Sequence, residues 1–192
     1  EAARPYADRM SAVMNRVAAS ARRNADAPKL LSGTGSDQTH LLVVMTSERG
    51  LCGGFNSSIV KLARLRIAAL KSAGKTVKIL TVGKKGREQL KRDHSDLFIG
   101  HVDHSEVKRL GYVDAKAVAD DLLSRFDAGE YDVATLFFNT FQSVMSQVPT
   151  ERQVIPVKVD EEAEAGDLYD YEPDEQDILR VLLPRGVATE VF

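Results

Sequence analysis

The chain has 192 residues and a mass of 21.1 kDa, which fits one domain with appendages. Its composition, 43% hydrophobic and 28% charged, is that of a globular protein and excludes an intrinsically disordered one. A single cysteine excludes an intrachain disulfide framework. The apolar runs are far shorter than the roughly 20 residues that span a bilayer. Together with the single cysteine, this predicts a soluble protein of a reducing compartment or a peripheral subunit.

The charges are unevenly distributed, although the net charge is only −2. Between Val159 and Leu179 lie ten acidic residues and no basic one. That tract leaves 18 of the 28 acidic residues to the rest of the chain, against all 26 basic ones, an excess of eight positive charges. The segment from Lys61 to Arg92 holds eleven basic residues opposed only by Glu88. Such asymmetry can steer charged partners, while the simpler interpretation is two solvated faces.

The first segment, residues 4–23, has the periodicity of an amphipathic helix. Its narrow apolar stripe consists of Tyr6, Met10, Val13, Met14, Val17 and Ala21. A narrow stripe suits a seam with a second helix better than a broad core face. The following residues, rich in Pro, Gly, Ser and Thr, predict a linker over 25–39 and the start of a compact domain at residue 40.

Strands and helices then alternate along the chain. The pattern predicts strands over 40–46, 76–82, 96–102, 131–141 and 152–159, and helices over 55–72, 84–92 and 114–126. Alternation predicts an α/β fold: a Rossmann-like, mostly parallel sheet with helices on both faces. The last two strands are separated only by a short polar segment containing Pro149, which predicts an antiparallel edge strand. A final helix is expected over 175–192, after an acidic connecting segment over 160–174.

The turn from Gly50 to Gly54 follows the first strand, where a Rossmann fold binds phosphate. Its glycines do not have the G-x-G-x-x-G spacing, and no G-K-S/T follows. The second strand ends without an acidic residue to bind a ribose hydroxyl. A sharp turn and a close strand–helix approach explain these glycines better than dinucleotide binding does.

Other candidate sites are also weak. Cys52 lies near a helix start, where a thiolate is favoured, but no histidine is close in sequence, so an unreactive small thiol is the better interpretation. His94, His101 and His104 cluster around the third strand without a recognisable metal-ligand spacing. The basic helix lacks interleaved aromatic residues, so nucleic-acid binding is not expected. We therefore expect no catalytic residue, cofactor or metal.

Five segments together resemble the gamma subunit family of F-type ATP synthases. The segment 46–57 resembles the family signature T-S-[DE]-R-G-L-C-G-x-[FLY]-N, and 138–141 resembles its Y/F-N-x-F strand. The remaining matches are Pro149 to Pro156 (P-T-x-x-x-x-x-P), Tyr169 to Asp174 (Y-x-Y-E-P) and Leu182 to Arg185 (L-L-P-R). Five motifs in the family's order make the resemblance specific, although Gly186 replaces the aromatic residue expected after Pro184-Arg185.

The resemblance implies a non-catalytic central rotor present in one copy per complex. Residues 1–24 would be the end of the N-terminal shaft helix and 175–192 the start of the C-terminal one, wound into an antiparallel coiled coil whose remainder is missing from this sequence. The domain over 40–159 would be its α/β foot. The implied partners are the alpha and beta subunits of the catalytic hexamer, the epsilon subunit and the membrane c-ring. The implied location is peripheral, on the cytoplasmic face of a bacterial inner membrane.

The resemblance also suggests which residues contact partners. The loop residues Glu48, Arg49, Gly50 and Cys52 are expected near an acidic segment of a beta subunit, and Tyr169, Asp170, Tyr171 and Glu172 near the ring or epsilon. Two alternatives remain open from the residues alone. One is a small-ligand or nucleotide-binding α/β enzyme that uses the Gly50–Gly54 turn, and the other is a free-standing adaptor domain.

Overall fold

The computed structural model describes residues 29–48, 54–106, 112–143 and 146–156. The predicted shaft helices and the acidic segment lie outside the described residues. The chain divides into two compact units. Among the described residues, one unit comprises those within 37–106 and 130–153 and contains most of the sheet, and the other comprises 29–36, 112–129 and 154–156.

The elements follow one another as the sequence predicts, with a short additional helix. They are α1 (Lys29–Ser32), β1 (Thr39–Met45), α2 (Phe55–Ser72), β2 (Thr76–Val82), α3 (Lys84–His94), a 3-10 turn (Ser95–Leu97), β3 (Phe98–Val102), α4 (Tyr112–Asp127), β4 (Val133–Ser143) and β5 (Ser146–Ile155). The added helix α1 is one turn long and lies within the predicted linker. Gly33 follows the helix with a φ of +81°, and its N–H donates to the Lys29 carbonyl at 2.8 Å.

The five strands form one mixed sheet in the order β3-β2-β1-β4-β5. β1 pairs in parallel with both β2 and β4, and β2 pairs in parallel with β3. β4 and β5 are hydrogen-bonded neighbours joined by only two residues, a connection that only an antiparallel pair permits. The predicted α/β class and mostly parallel sheet are therefore confirmed.

The start of β5 was predicted wrongly. Sequence reasoning placed Pro149 in the connection before a strand at 152, but the strand begins at Ser146 and contains the proline. Proline lacks the N–H that a central strand needs on both sides. β5 is a terminal strand of the sheet, where one side of the backbone needs no ladder partner, so a proline is tolerated there.

The hydrophobic core lies between the sheet and α2. Helix α2 buries an apolar stripe, including Ile59, Ala63 and Ile67, against Leu42 and Val44 of β1 and their neighbours. Leu90 of α3 and Phe137 of β4 complete the same cluster. β1 is buried on both faces, as its near-continuous apolar sequence predicts. Burial at about 25 cal/mol per Å² of apolar surface makes this cluster the main source of stability in its unit.

The second unit has its own buried side chains. Helix α4 buries Val118, Ala119, Leu122 and Phe126, and the chain at 154–155 buries Val154 and Ile155. The helix also carries the most exposed large apolar side chain of the described residues, Val113, which is 79% exposed. No helix within the described ranges has an apolar stretch long enough to cross a membrane.

Candidate functional site

The signature segment begins where the parallel strands end. Because β1, β2, β3 and β4 run in parallel, their carboxyl ends meet at one edge of the sheet. The direction of chain progression reverses between β1 and β4, the position where doubly wound folds place their ligand crevice. Residues 46–48 leave β1 at this edge, and α2 begins there at Phe55. The contacts of residues 46–48 therefore decide what this edge can do.

Residues Thr46, Ser47 and Glu48 bind the first turn of α3, and we call these three residues the β1 clamp. A Glu48 carboxylate oxygen (Oε2) accepts a hydrogen bond from the Lys84 N–H at 3.1 Å. The Ser47 carbonyl accepts from the Lys85 N–H at 3.2 Å, and the Thr46 hydroxyl oxygen accepts from the Gly86 N–H at 2.7 Å. These are first-turn N–H groups, which have no partner within the helix. The β1 clamp thus occupies the positions that a bound anion would take at this helix.

Two glycines permit this close approach. At Gly83 the backbone has a φ of +100°, and an added Cβ would lie 2.0 Å from the Thr46 carbonyl oxygen. At Gly86 an added Cβ would lie 2.7 Å from the Thr46 hydroxyl oxygen. No side chain fits at either position without moving β1 and α3 apart. The close contact with Thr46 of the clamp therefore explains why positions 83 and 86 are both glycine.

The clamp also reaches the end of β3. The second carboxylate oxygen of Glu48 (Oε1) accepts a hydrogen bond from the His104 N–H at 2.8 Å. The Gly83 N–H bonds the Val102 carbonyl at 3.1 Å. One carboxylate thus ties the chain after β1 to the chains after β2 and β3. A carboxylate that accepts from backbone N–H groups forms charge-assisted hydrogen bonds, which are stronger than neutral ones.

Two asparagines hold the start of α2 at the same edge. The Asn56 side-chain oxygen accepts from both the N–H and the hydroxyl of Ser47, each at 3.0 Å, and Asn56 is only 7% exposed. Asn139 of β4 donates its side-chain amide to the Phe55 carbonyl at 3.1 Å. These bonds hold the described residues on either side of 49–53, which themselves lie outside the described chain. Asn56 and Asn139, which belong to two of the signature segments, therefore both hydrogen-bond residues at this edge of the sheet.

The second and third signature segments pair with each other across β4 and β5. The hydroxyl oxygens of Thr140 and Thr150 are 2.7 Å apart. The Arg152 guanidinium lies 5.7 Å from the centre of the Phe138 ring, within the range of a cation–π contact. Both pairs join residues of the predicted motifs. Residues of the two motifs thus contact each other across the antiparallel pair β4 and β5.

Among the predicted partner contacts, Glu48 lies within the described residues. Its carboxylate is bound to two backbone N–H groups, which sequence reasoning did not find, and its contact with a partner stays a prediction. The other predicted residues lie outside the described chain: Arg49, Gly50, Cys52, Tyr169, Asp170, Tyr171 and Glu172.

The basic segment 61–92 lies largely on α2 and α3. Arg64 connects the two helices, with its guanidinium 3.1 Å from the Asp93 carboxylate and 2.9 Å from the Gln89 carbonyl. Lys61, Arg66 and Lys91 are exposed. No group of three or more His, Cys, Asp or Glu side chains within the described residues is placed to hold a metal ion. The segment is therefore a charged surface in which the Arg64–Asp93 ion pair joins α2 to the end of α3.

His101 lies beside the clamp in a partly buried position. Its Nδ1 is 2.7 Å from the hydroxyl of Thr81, which is fully buried. Burial lowers the pKa of His101 below its ordinary value of 6.5, and the positive charge of Arg87 lowers it further. Glu48 and Asp103 act in the opposite direction and do not compensate. The folded chain therefore keeps this imidazole neutral to a lower pH than the unfolded chain does.

We expect acidification to destabilise the fold through His101. Below pH 6.5 the unfolded chain binds a proton at this residue that the folded chain binds only at lower pH, so the free energy of unfolding falls as pH falls through that window. His101→Gln removes this proton and should flatten the pH dependence between about pH 7 and about pH 5, measured by urea unfolding. If the free energy of unfolding changed equally with pH in the variant and the parent, this expectation would be contradicted.

Comparison with known proteins identifies the class of protein. A family model described as ATP synthase matches residues 1–192, the whole chain. The chain belongs to the ATP synthase gamma chain family. An ATP synthase gamma chain of Paracoccus denitrificans is 69% identical over 193 residues, and one of Cereibacter sphaeroides is 66% identical over 192 residues. Each match covers 100% of this chain, which spans about two thirds (67% and 66%) of those relatives.

Solved structures with the same fold come from ATP synthase rotors. A chain of the Tetrahymena thermophila mitochondrial ATP synthase central stalk and c-ring aligns with a TM-score of 0.63 at 24% identity, covering 97% of this chain and 89% of that one. A chain of the Euglena gracilis mitochondrial ATP synthase rotor aligns with a TM-score of 0.53 at 14% identity, covering 100% and 79%. At these identities the likeness shows the fold.

Proposed function

We propose that this chain is the foot region of the central rotor-stalk subunit of an F-type ATP synthase. In this function it couples proton-driven rotation of the membrane ring to ATP synthesis or hydrolysis in the catalytic hexamer. The observation that carries the proposal is the 69% identity over the whole chain to an ATP synthase gamma chain. The subunit itself performs no bond chemistry. Its shaft presents different faces to the catalytic subunits in turn and biases their conformational states.

A rotor foot must transmit torque without deforming, and the described contacts support that role. The β1 clamp ties three strand ends to α3, while Asn56 and Asn139 tie α2 to the same edge. Arg64 braces α2 against α3. A close-packed interior of low compressibility transmits strain, whereas loosely held loops absorb it. These bonds hold the chain on either side of residues 49–53 to the same edge of the sheet.

The proposed partners follow from the family and the charge distribution. The shaft would contact the alpha and beta subunits, and the foot would contact the epsilon subunit and the c-ring, with one gamma chain per complex. Arg49 would attract an acidic segment of a beta subunit. The acidic tract with Tyr169 and Tyr171 would face polar loops of the ring or epsilon. The complex would place the chain peripherally on the cytoplasmic face of a bacterial inner membrane.

Complementation tests this function. A full-length gamma chain, in which residues 1–192 are joined to complete shaft helices, is expressed in a bacterium whose own gamma gene is deleted. Inverted membrane vesicles are then assayed for ATP-driven proton pumping. We expect pumping to be restored relative to vesicles from the deleted strain. A gamma chain that assembles with the catalytic subunits and restores no pumping would refute the proposal.

Replacing Arg49 by alanine should weaken coupling without unfolding the foot. A solvent-exposed ion pair contributes up to about 1 kcal/mol, which corresponds to roughly a fivefold effect. We therefore expect the contact made by Arg49 to weaken by up to about fivefold, and the ratio of protons pumped to ATP hydrolysed to fall. Arg66→Ala, which removes an exposed arginine from α2, is the matched control and should leave the ratio unchanged. An unchanged ratio in Arg49→Ala would remove Arg49 from the contact surface.

No observation on the described residues favours the alternative of a nucleotide-binding enzyme. The first-turn N–H groups of α3 already have acceptors in the β1 clamp. At the crevice between β1 and β4, Ser47 is bonded to Asn56, and Asn139 is bonded to Phe55. These polar groups already form hydrogen bonds within the protein. The family relationship favours the rotor function over this alternative.

A further inference from the structure

We propose that the outer face of α3 is a docking surface for an acidic segment of a neighbouring subunit in the assembled ATP synthase. The surface consists of Lys84, Arg87 and Lys91, which we call the α3 stripe. Spacings of three and four residues place them on one face of the helix, and all three residues are exposed. This inference rests on the proposed rotor function and assigns a partner contact to a particular surface of the foot.

Helix α4 of the same chain has the charge pattern that stabilises a helix by itself. It carries Asp114 in its first turn and Arg125 in its last, as the helix dipole favours. Two ion pairs join residues four apart, Lys116 to Asp120 at 2.9 Å and Asp121 to Arg125 at 3.0 Å. The charges of α4 are thus explained within the helix.

Helix α3 departs from this pattern. Its first turn has no acidic residue and begins with Lys84 and Lys85, which oppose the helix dipole and are offset in part by the β1 clamp and Glu88. Arg87 and Lys91 lie four residues apart and repel each other, and neither forms an ion pair within the described part of the chain. Lys91 suits the last turn, but folding gives no reason for the stripe as a whole. Such a departure favours a function outside the fold.

The α3 stripe lies beside the outermost strand of the parallel part of the sheet. After burial, the positive charge of Arg87 is the largest influence that lowers the pKa of His101 in β3. β3 is a terminal strand of the sheet. The stripe therefore follows the outer side of the sheet, where a neighbouring subunit can reach it.

The chemistry of the stripe favours carboxylates of a protein as the partner groups. Arginine and lysine form charge-assisted hydrogen bonds with carboxylates. Leu90, the one large apolar residue of α3, is completely buried, so the helix offers nothing apolar to insert into a bilayer. The helix also has no aromatic residue on which a nucleic-acid base could stack. An acidic protein segment therefore fits this face better than a lipid surface or a nucleic acid.

Zero-length cross-linking of the whole ATP synthase tests the contact. A carbodiimide is added to purified complexes that contain the full-length gamma chain, and it joins a lysine amine to an Asp or Glu side chain in direct contact with it. The joined peptides are identified by mass spectrometry. We expect Lys91 to be joined to a carboxylate of a neighbouring subunit. Lys71, an exposed lysine in the last turn of α2, is the matched control and should not be joined to that segment.

Charge reversal measures what the stripe contributes to binding. The affinity of the full-length gamma chain for the cross-linked subunit is measured at about 0.15 M salt, where distant charges are screened. Arg87→Glu combined with Lys91→Glu should weaken binding roughly tenfold, because two exposed pairs become repulsive. Replacing the cross-linked carboxylates of the partner by lysine should restore it. Lys61→Glu combined with Lys71→Glu reverses two exposed charges of α2 and should leave the affinity unchanged.

Several outcomes would overturn the inference. One is the absence of a Lys91 cross-link in complexes that pump protons normally, which leaves the rotor function intact and assigns the stripe to solvent or anionic lipid. Equal cross-linking of Lys71 and Lys91 to the same segment is another, and parental affinity after charge reversal is a third. Should the reversed chain fail to fold, Arg87→Ala combined with Lys91→Ala decides: weaker binding supports the inference, and parental binding overturns it. If the parent gamma chain restores no pumping, the rotor function fails and this inference fails with it.

Discussion

Gly83→Ala is expected to destabilise the foot by about 3–5 kcal/mol, which is at the upper end of what single substitutions cost. Two causes add at this position. The backbone φ of +100° strains any residue with a Cβ, and that Cβ would meet the Thr46 carbonyl oxygen at 2.0 Å. Relief requires separating the ends of β1 and β2, which breaks the bond between the Thr46 N–H and the Val82 carbonyl. The urea midpoint of the 192-residue chain measures the loss.

Gly74→Ala is the matched control for this prediction. Gly74 also has a positive φ, +76°, but a Cβ added there would have no neighbouring atom within 4 Å. Its substitution should cost only the backbone strain, about 1–2 kcal/mol. Equal losses for Gly83→Ala and Gly74→Ala would show that the contact with Thr46 contributes nothing.

Phe137→Ala is expected to cost about 3–5 kcal/mol through the cavity it leaves. The Phe137 ring is completely buried in the cluster formed by the sheet and α2, and its strand position lies directly opposite Val44. The surrounding side chains belong to regular elements and relax little, so the cavity persists. Urea unfolding of the chain is the measurement.

Leu65→Ala controls for apolar substitution in the same unit. The Leu65 side chain on α2 is 62% exposed, and alanine has the higher helix propensity. Its effect should lie within about 0.5 kcal/mol of zero. A loss in Phe137→Ala as small as that in Leu65→Ala would contradict the assignment of the core to this face.

Local signals made α2 and β2 predictable to their end residues. Helix α2 ends at Ser72 because Gly74 adopts a positive φ, and the Lys75 N–H bonds the Leu70 carbonyl in a Schellman pattern. The regular spacing of apolar residues that predicts this helix is likewise a feature of neighbouring residues in the sequence. The parallel sheet followed from the alternation of strands and helices, since a crossover helix is what joins parallel neighbours.

The β1 clamp was not predictable, because its partners are far apart in the sequence. Glu48 binds N–H groups 36 and 56 residues away, and Thr46 binds one 40 residues away. Only the strand order brings these residues together. The same limit explains β5: a proline in a strand is acceptable only at an edge, and a single sequence does not reveal which strand is at the edge.

Rotation of the foot itself tests the central claim most directly. A probe is attached to a cysteine introduced by Lys71→Cys at the exposed end of α2, in a gamma chain whose natural cysteines, including Cys52, have been replaced by serine. The catalytic hexamer, assembled around the full-length gamma chain, is fixed to a surface and supplied with ATP. Our account predicts continuous rotation of the probe in one direction while ATP is hydrolysed. Hydrolysis by a fully assembled complex with a stationary probe would contradict it.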